Sequence, residues 1–346
     1  MSLPAKSVAW IYSFNNRITY ASLLQVARDL LFLIKQTLKA NGYTVKGSSN
    51  GTTGGMDGVD RWTTAADAGT RGTTTTTPIS WVVLTDGNGT DILFAYIGAT
   101  DDVFRLNVSH AGDYVVAATA THQPTSANET ATGPGWFTAA IPSMIGTATS
   151  ADRVAHIWIA PDATGFRVAL FRSAVLLCAF GVDKHEAATY APSVVVSAAH
   201  GFFFNGAVVA QNFPFDAAST AGTNAQFRIV VRTSMGGKLA SCCRSVEAQG
   251  YGLASANFMH LGQDFIPELQ GAGFQLKRIG ICSVSSAQRG KVGNLRDWWI
   301  GRALSGVSDG DTYGSNREFV CIDGESGVVW PWDGTSTTLG SAISIS

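Results

Sequence analysis

Apolar residues recur at three- and four-residue steps between Ala21 and Ala40, with Leu23, Ala27, Leu30, Ile34 and Leu38 on one face. That period predicts an amphipathic helix. Leu24, Leu31 and Leu33 carry the apolar side beyond half the circumference. A stripe so wide is expected to pack on the main body, and it leaves room for a second contact with a neighbouring subunit. Thr19 or Ser22 can cap the start, Lys35 and Lys39 lie near the negative end of the dipole, and Asn41-Gly42 supplies a left-handed stop.

From Ile79 the pattern shifts to short apolar runs broken by turn residues. Ser80–Thr85 and Asp91–Ile97 flank Asp86-Gly-Asn-Gly89, and 154–159 and Phe166–Phe171 flank Pro161-Asp-Ala-Thr-Gly165; both read as hairpins. Val103–Val108, Ala174–Val182, Ser193–Ala198, Gly201–Asn205, Gln226–Thr233, Gln275–Ser283 and Glu318–Ile322 complete the predicted strands. Turn spacing of this kind favours a sandwich or barrel over alternating helix and strand units. The expected fold is mainly β: an antiparallel β-sandwich, jelly-roll-like or lectin-like, with one N-terminal α-helix and long loops. Segments 113–150 and 246–273 read as surface excursions.

The stretch 46–78 is rich in Gly, Thr and Ser, with Gly51-Thr-Thr-Gly-Gly55 and the run Thr73–Thr77. It exceeds an ordinary connection, since structureless loops beyond about 12–15 residues are uncommon. We expect an extended arm anchored by Trp62, with a flexible linker as the other reading. The expected division is therefore 1–78, helix and arm, and 79–346, β-sandwich. Leu23, Leu30, Ile34, Leu38 and Trp62 are the expected assembly contacts.

Composition narrows the function classes. Of 346 residues only 24 are Lys or Arg and 25 Asp or Glu, a charged share of 14%, against about 25% in soluble domains. With 45% apolar residues and a net charge of -1, the chain as a whole is not of the disordered type. Direct nucleic-acid binding is not expected either, because phosphate neutralisation needs clustered Lys and Arg. The longest apolar run, Ala174–Phe180, falls short of the roughly 18–20 residues of a bilayer span. No secretory leader is legible in the first 20 residues, so synthesis in a cytoplasm is expected. Five cysteines, Cys178, Cys242, Cys243, Cys282 and Cys321, form no C-x-x-C pair. They read as buried small hydrophobes and not as a disulfide or zinc framework.

Chemical motifs are weak. Gly306-Val-Ser308-Asp-Gly310 matches the string of a nucleophile elbow, but a polar Asp/Gly segment follows where a helix is needed. Asp309, Asp311 and Gly314 begin like a calcium loop, yet Tyr313 and Val320 occupy ligand positions. The six histidines, including His156 in an alternating strand, lack two-His metal spacing. No catalytic residue, metal or cofactor is therefore expected. Trp298, Trp299, Trp330 and Trp332, with Asp297 and Asp333 adjacent, are either plugs at the end of a sandwich or stacking platforms for sugar rings.

Three stretches resemble structural proteins of tailed-bacteriophage virions. They are Gly58-Val-Asp-Arg-Trp62 with Ser80-Trp-Val-Val-Leu84, Ser150-Ala-Asp-Arg153, and the C-terminal Asp311-Thr-Tyr-Gly314, Phe319-Val320 and Gly324 through Val328-Val-Trp-Pro-Trp-Asp-Gly334. The resemblance spans about residues 56–335 and implies a virion component of the neck, tail or baseplate, with no catalytic residues to carry over. Its partners would be copies of itself and other virion proteins. The alternative is a carbohydrate-binding receptor module of the virion, with a host-surface glycan on the four tryptophans. A hydrolase using Ser308 or a cysteine is the remaining class.

Overall fold

The computed structural model describes residues 9–13, 23–51, 53–68, 80–100 and 103–116, together with the further strands named below. Gly201–Asn205, segment 246–273, Ser308, Trp332, Cys242 and Cys243 lie outside the described residues. Within them the chain is mainly strands in antiparallel sheets with a single α-helix, and no sheet closes into a barrel.

Helix α1 spans Leu23–Ala40. It ends as its sequence directs: Tyr43 N donates to Leu38 O at 3.1 Å, Gly42 N donates to Lys39 O at 3.2 Å, and Gly42 has φ of 92°. This is a Schellman stop, in which a left-handed glycine lets two amides close back on the last carbonyls. Leu30, Leu31, Leu33, Ile34 and Leu38 are all buried. The helix packs on a 3-10 turn at Ala65–Ala68 and touches strands of two different sheets, at Val103–Ala111 and Ala155–Asp162.

Strands are numbered along the chain. A six-stranded sheet runs in the order Gly54–Gly55 (β3), Thr44–Asn50 (β2), Ser80–Thr85 (β4), Asp91–Thr100 (β5), Val103–Ala111 (β6) and Phe137–Ala140 (β9). A small hairpin pairs Tyr114–Val116 (β7) with Pro124–Ser126 (β8). An eight-stranded sheet runs Lys238–Ser241 (β15), Phe227–Arg232 (β14), Val194–Ala199 (β13), Val175–Asp183 (β12), Gly165–Arg172 (β11), Ala155–Asp162 (β10), Ala9–Ser13 (β1) and Ser336–Thr338 (β21). A five-stranded sheet runs Leu276–Cys282 (β16), Lys291–Gly301 (β17), Val328–Pro331 (β20), Phe319–Asp323 (β19) and Thr312–Tyr313 (β18). Only β1 with β21 is parallel among the described pairs.

Both hairpins read from the sequence are present. Asp86 N donates to Thr90 O at 3.0 Å and Gly89, at φ of 75°, donates to Asp86 O at 3.1 Å, while the Asp86 carboxylate accepts from the Asn88 and Thr90 amides at 2.8 Å each. This is the three-residue loop with a glycine in the left-handed position. The β10–β11 hairpin closes on Asp162 opposite Gly165.

Strand β4 is buried on both faces. Trp81 and Val83 join Leu93, Tyr114 and Met56 in one core cluster. Val82 and Leu84 lie opposite Phe94 and Ile92 on the other face. From that face Phe94 meets Phe166 of β11, ring centroids 5.3 Å apart at 49°. The aromatic pair joins the six-stranded sheet to the eight-stranded one.

Part of the stretch expected as an arm is built into a sheet. Residues 44–50 form a strand antiparallel to β4, from Thr44 opposite Thr85 to Asn50 opposite Ser80, with a register shift at Lys46 between Val45 and Gly47. The six-stranded sheet thus draws β2 and β3 from before residue 78 and the rest from after it. Small polar side chains concealed the strand, because Gly47, Ser48 and Ser49 are buried without being apolar. A Cβ on Gly47 would stand 2.4 Å from Gly55 O and 2.7 Å from Met56 Cα. Segment 113–150 likewise holds β7, β8 and β9.

Two glycine variants separate backbone conformation from backbone contact. Gly42→Ala, whose Cβ meets nothing within 4 Å, should lose about 1–2 kcal/mol through φ alone. Gly47→Ala should lose more, because backbone must move. Urea unfolding of both variants checks the order.

Candidate functional site

The densest polar construction among the described residues joins helix α1 to the edge of the six-stranded sheet. Lys35 lies on the apolar face of the helix, one residue after Ile34, and its side chain is 1% exposed. Its ammonium donates to both carboxylate oxygens of Asp60, at 3.1 and 2.9 Å, and to the carbonyl of Trp62. It also stands over the Phe32 ring, 4.8 Å from the centroid. Lys39, one helical turn on, donates to the same carboxylate at 2.6 Å. A buried ammonium is tolerated only when its donors are satisfied and its charge is paired. Here three acceptor atoms meet three N–H groups.

The Asp57–Trp62 segment is tied on its other side to β2. Ser48 Oγ donates to Val59 O at 2.8 Å and accepts from Arg61 N at 2.7 Å. Arg61 forks onto Asp57 at 2.9 and 2.6 Å and reaches Ser48 O at 3.2 Å. Trp62, 0% exposed, donates from Nε1 to Ser49 O at 2.9 Å. The following 3-10 turn is capped by Asp67, which accepts from Thr64 N at 2.8 Å and from the Thr63 and Thr64 hydroxyls at 3.0 Å each. This is the return arm of a capping box.

A second ionic knot fastens the far end of the sheet. Asp91, 1% exposed, accepts from Lys46 at 2.5 Å, from Thr85 Oγ1 at 2.7 Å and from Tyr114 N at 3.2 Å. Lys46 also pairs with Asp113, the residue before β7. Burial pulls the Lys46 ammonium down, but Asp113 and Asp91 outweigh it and raise its pKa above the usual lysine value.

Titration follows the same geometry. Burial pushes the Asp60 carboxyl up, but hydrogen bonds from Lys39 and Lys35 prevail and hold it below the ordinary carboxylate range. Desolvation draws the Lys35 ammonium down, and its pairing with Asp60 only partly offsets this. The Arg61 guanidinium holds Asp57 well below the usual range.

The positions singled out from sequence fall as follows. Leu30, Ile34, Leu38 and Trp62 are buried in the chain's own core. Leu23 begins α1. Trp299 lies on β17 opposite Val329 and is buried, 9% exposed, so its ring face is not open for stacking. Trp298 is its neighbour on β17, and Trp330 is on β20 opposite Val320. His156 is on β10 opposite Phe171. Cys178, Cys282 and Cys321 lie on β12, β16 and β19. Among the described residues no three His, Cys, Asp or Glu side chains are grouped to hold a metal. None of the described helices is long and apolar enough to cross a membrane.

Sequence reasoning missed Lys35, Asp60, Lys46, Asp91 and Asp113 as structural charges. One signal was available for Lys35: it sits between Leu31 and Leu38 at helical spacing, inside the apolar stripe. No protein-family model matches the chain, and no curated protein matches it. The arrangement is a fastening. Its charges are paired with one another.

Two outcomes test the fastening. Lys35→Ala leaves the buried Trp62 carbonyl without its donor while Lys39 still pairs with Asp60, and should lose about 1–3 kcal/mol in urea unfolding. The depressed Asp60 pKa contributes stability that is full above the unfolded carboxylate value and is lost as pH falls through the folded one. The stability gap between wild type and Asp60→Asn, measured by denaturation at successive pH values, should therefore be largest near neutrality. It should close below roughly pH 4.

Proposed function

We propose that this chain is a structural component of a tailed-phage virion, at the neck, tail or baseplate, and that it acts through contacts between subunits and not through catalysis. The observation that carries the reading is where its scarce charges go. Only 14% of residues are charged, and in the described segments Lys35, Lys39 and Asp60, Arg61 and Asp57, and Lys46, Asp91 and Asp113 are paired with one another. The exposed positions there include Thr44, Thr53, Thr63, Thr64, Gly87, Asn88 and Gly89, and the exposed charges of Lys39 and Asp57 are paired with Asp60 and Arg61. A surface of this kind suits close packing against neighbours, because the cores of protein interfaces are depleted in charge.

The resemblance of the Gly58–Trp62, Ser80–Leu84 and C-terminal aromatic stretches to tailed-phage virion proteins supports the same reading. The finer architecture we propose is a β-sandwich, supported by the Phe94–Phe166 contact between the six- and eight-stranded sheets. Partners are then copies of the chain and other virion proteins, and its final location is the particle, after synthesis in the host cytoplasm. The glycan-binding reading draws no support from Trp299, whose ring is buried.

Mass spectrometry of gradient-purified particles, with light scattering of the isolated full chain, tests the proposal. The expected result is the chain in the particle at several copies and concentration-dependent self-association. Absence from particles, with a monomer at every concentration, would overturn it.

A further inference from the structure

An asparagine followed by glycine is prone to modify itself, because glycine sets no Cβ in the way when its amide nitrogen approaches the preceding carboxamide. Three such steps lie in the described residues: Asn41-Gly42, Asn50-Gly51 and Asn88-Gly89. A fourth, Asn205-Gly206, lies outside them. By the residue that follows they are alike. Their surroundings differ.

Asn41 is fastened at the stop of α1. Its carboxamide donates to Thr37 O at 2.8 Å, and its own amide and that of Gly42 donate to Leu38 O and Lys39 O at 3.0 and 3.2 Å. Asn50 is fastened at the turn between β2 and β3. Its Oδ1 accepts from Thr53 N at 3.1 Å, its amide donates to Thr53 O at 3.1 Å, and Gly51 N donates to Ser49 Oγ at 3.2 Å. Asn88 is at the tip of the β4–β5 hairpin. It and Gly89 are exposed, and its carboxamide has no hydrogen-bond partner among the described residues. Only backbone is held there, Asn88 N by the Asp86 carboxylate at 2.8 Å and Gly89 N by Asp86 O at 3.1 Å.

We propose that Asn88 is a site of spontaneous deamidation, selected over Asn41 and Asn50 by its free carboxamide at an exposed hairpin tip. The Gly89 amide nitrogen gives its proton to solvent hydroxide and attacks Asn88 Cγ. The new N–Cγ bond closes a five-membered succinimide as the Cγ–Nδ2 bond breaks and ammonia leaves. Water then opens either carbonyl of the ring, giving aspartate or isoaspartate at residue 88. For the attack Gly89 N must leave Asp86 O and turn toward Cγ. Local opening of this kind costs least at loop tips with few contacts. At Asn41 and Asn50 a bonded carboxamide must be released as well.

The product alters the hairpin. A carboxylate at residue 88 adjoins that of Asp86, which is 6% exposed and already accepts the Asn88 and Thr90 amides. Isoaspartate also lengthens the backbone before Gly89, which displaces the Gly89 and Thr90 amides from Asp86.

The test holds the full chain at mildly alkaline pH, with and without urea, and follows each step by peptide mapping with mass spectrometry. In the folded chain Asn88 should deamidate about tenfold faster than Asn41 or Asn50. Its product should include isoaspartate, detected by labelling with isoaspartyl methyltransferase. In urea the three rates should converge. Asn88→Gln, which would have to close a less favourable six-membered ring, should remove the fast phase. A folded-state rate at Asn41 or Asn50 that equals or exceeds that at Asn88 would overturn the assignment. A preference for Asn88 that persists unchanged in urea would overturn its structural cause.

Discussion

A single lysine, placed where a helix of this pattern would carry leucine, ties the two kinds of structure in this chain together. Lys35 reaches out of the apolar stripe of α1 and closes on Asp60 and the Trp62 carbonyl. The residues on either side of Asp60, Val59 and Arg61, bond Ser48 of β2, and Trp62 bonds Ser49. Desolvating an ammonium is costly, and the cost is recovered only if every donor finds an acceptor. That requirement fixes the path of Asp57–Trp62 and so the position of Trp62, the largest fully buried side chain of the segment. Helix, strap and sheet edge meet at this one charge. The Lys46–Asp91–Asp113 knot repeats the logic at the other end of β2, where Asp91 also receives the Tyr114 amide.

Much of the fold was legible where apolar periodicity coincided with turn chemistry. The helix with its Asn41-Gly42 stop, strand β4 at Ser80–Thr85 and the hairpin at Asp86–Gly89 are found as read. Strand β2 was not legible, because its Val45-Lys-Gly-Ser-Ser-Asn50 sequence has no alternating apolar side. Its buried positions are Gly47, Ser48 and Ser49, selected for small volume and hydrogen bonding instead of hydrophobicity. Burial of Trp62 was anticipated as an anchor, but what it anchors is a strap closing a sheet edge. The ionic partners were illegible for a related reason. Lys35 and Asp60 are 25 residues apart, and Lys46 and Asp113 are 67 apart. Nothing local in the sequence marks such pairs.

This economy of charge links the fold to the proposed role. In the described segments the few ionic groups are largely paired with one another, and Thr, Gly and Asn take many of the exposed positions. Backbone pairing and close packing then become the natural means of association, and edge strands its natural sites.

The most direct measurement is the salt dependence of self-association, followed by sedimentation of the full chain from low to high ionic strength. Interfaces built from exposed ion pairs weaken as the Debye length falls from about 30 Å to about 3 Å. The account predicts an association constant that is unchanged or rises across that range. Dissociation at high salt would show that exposed charges hold the subunits together and would contradict it.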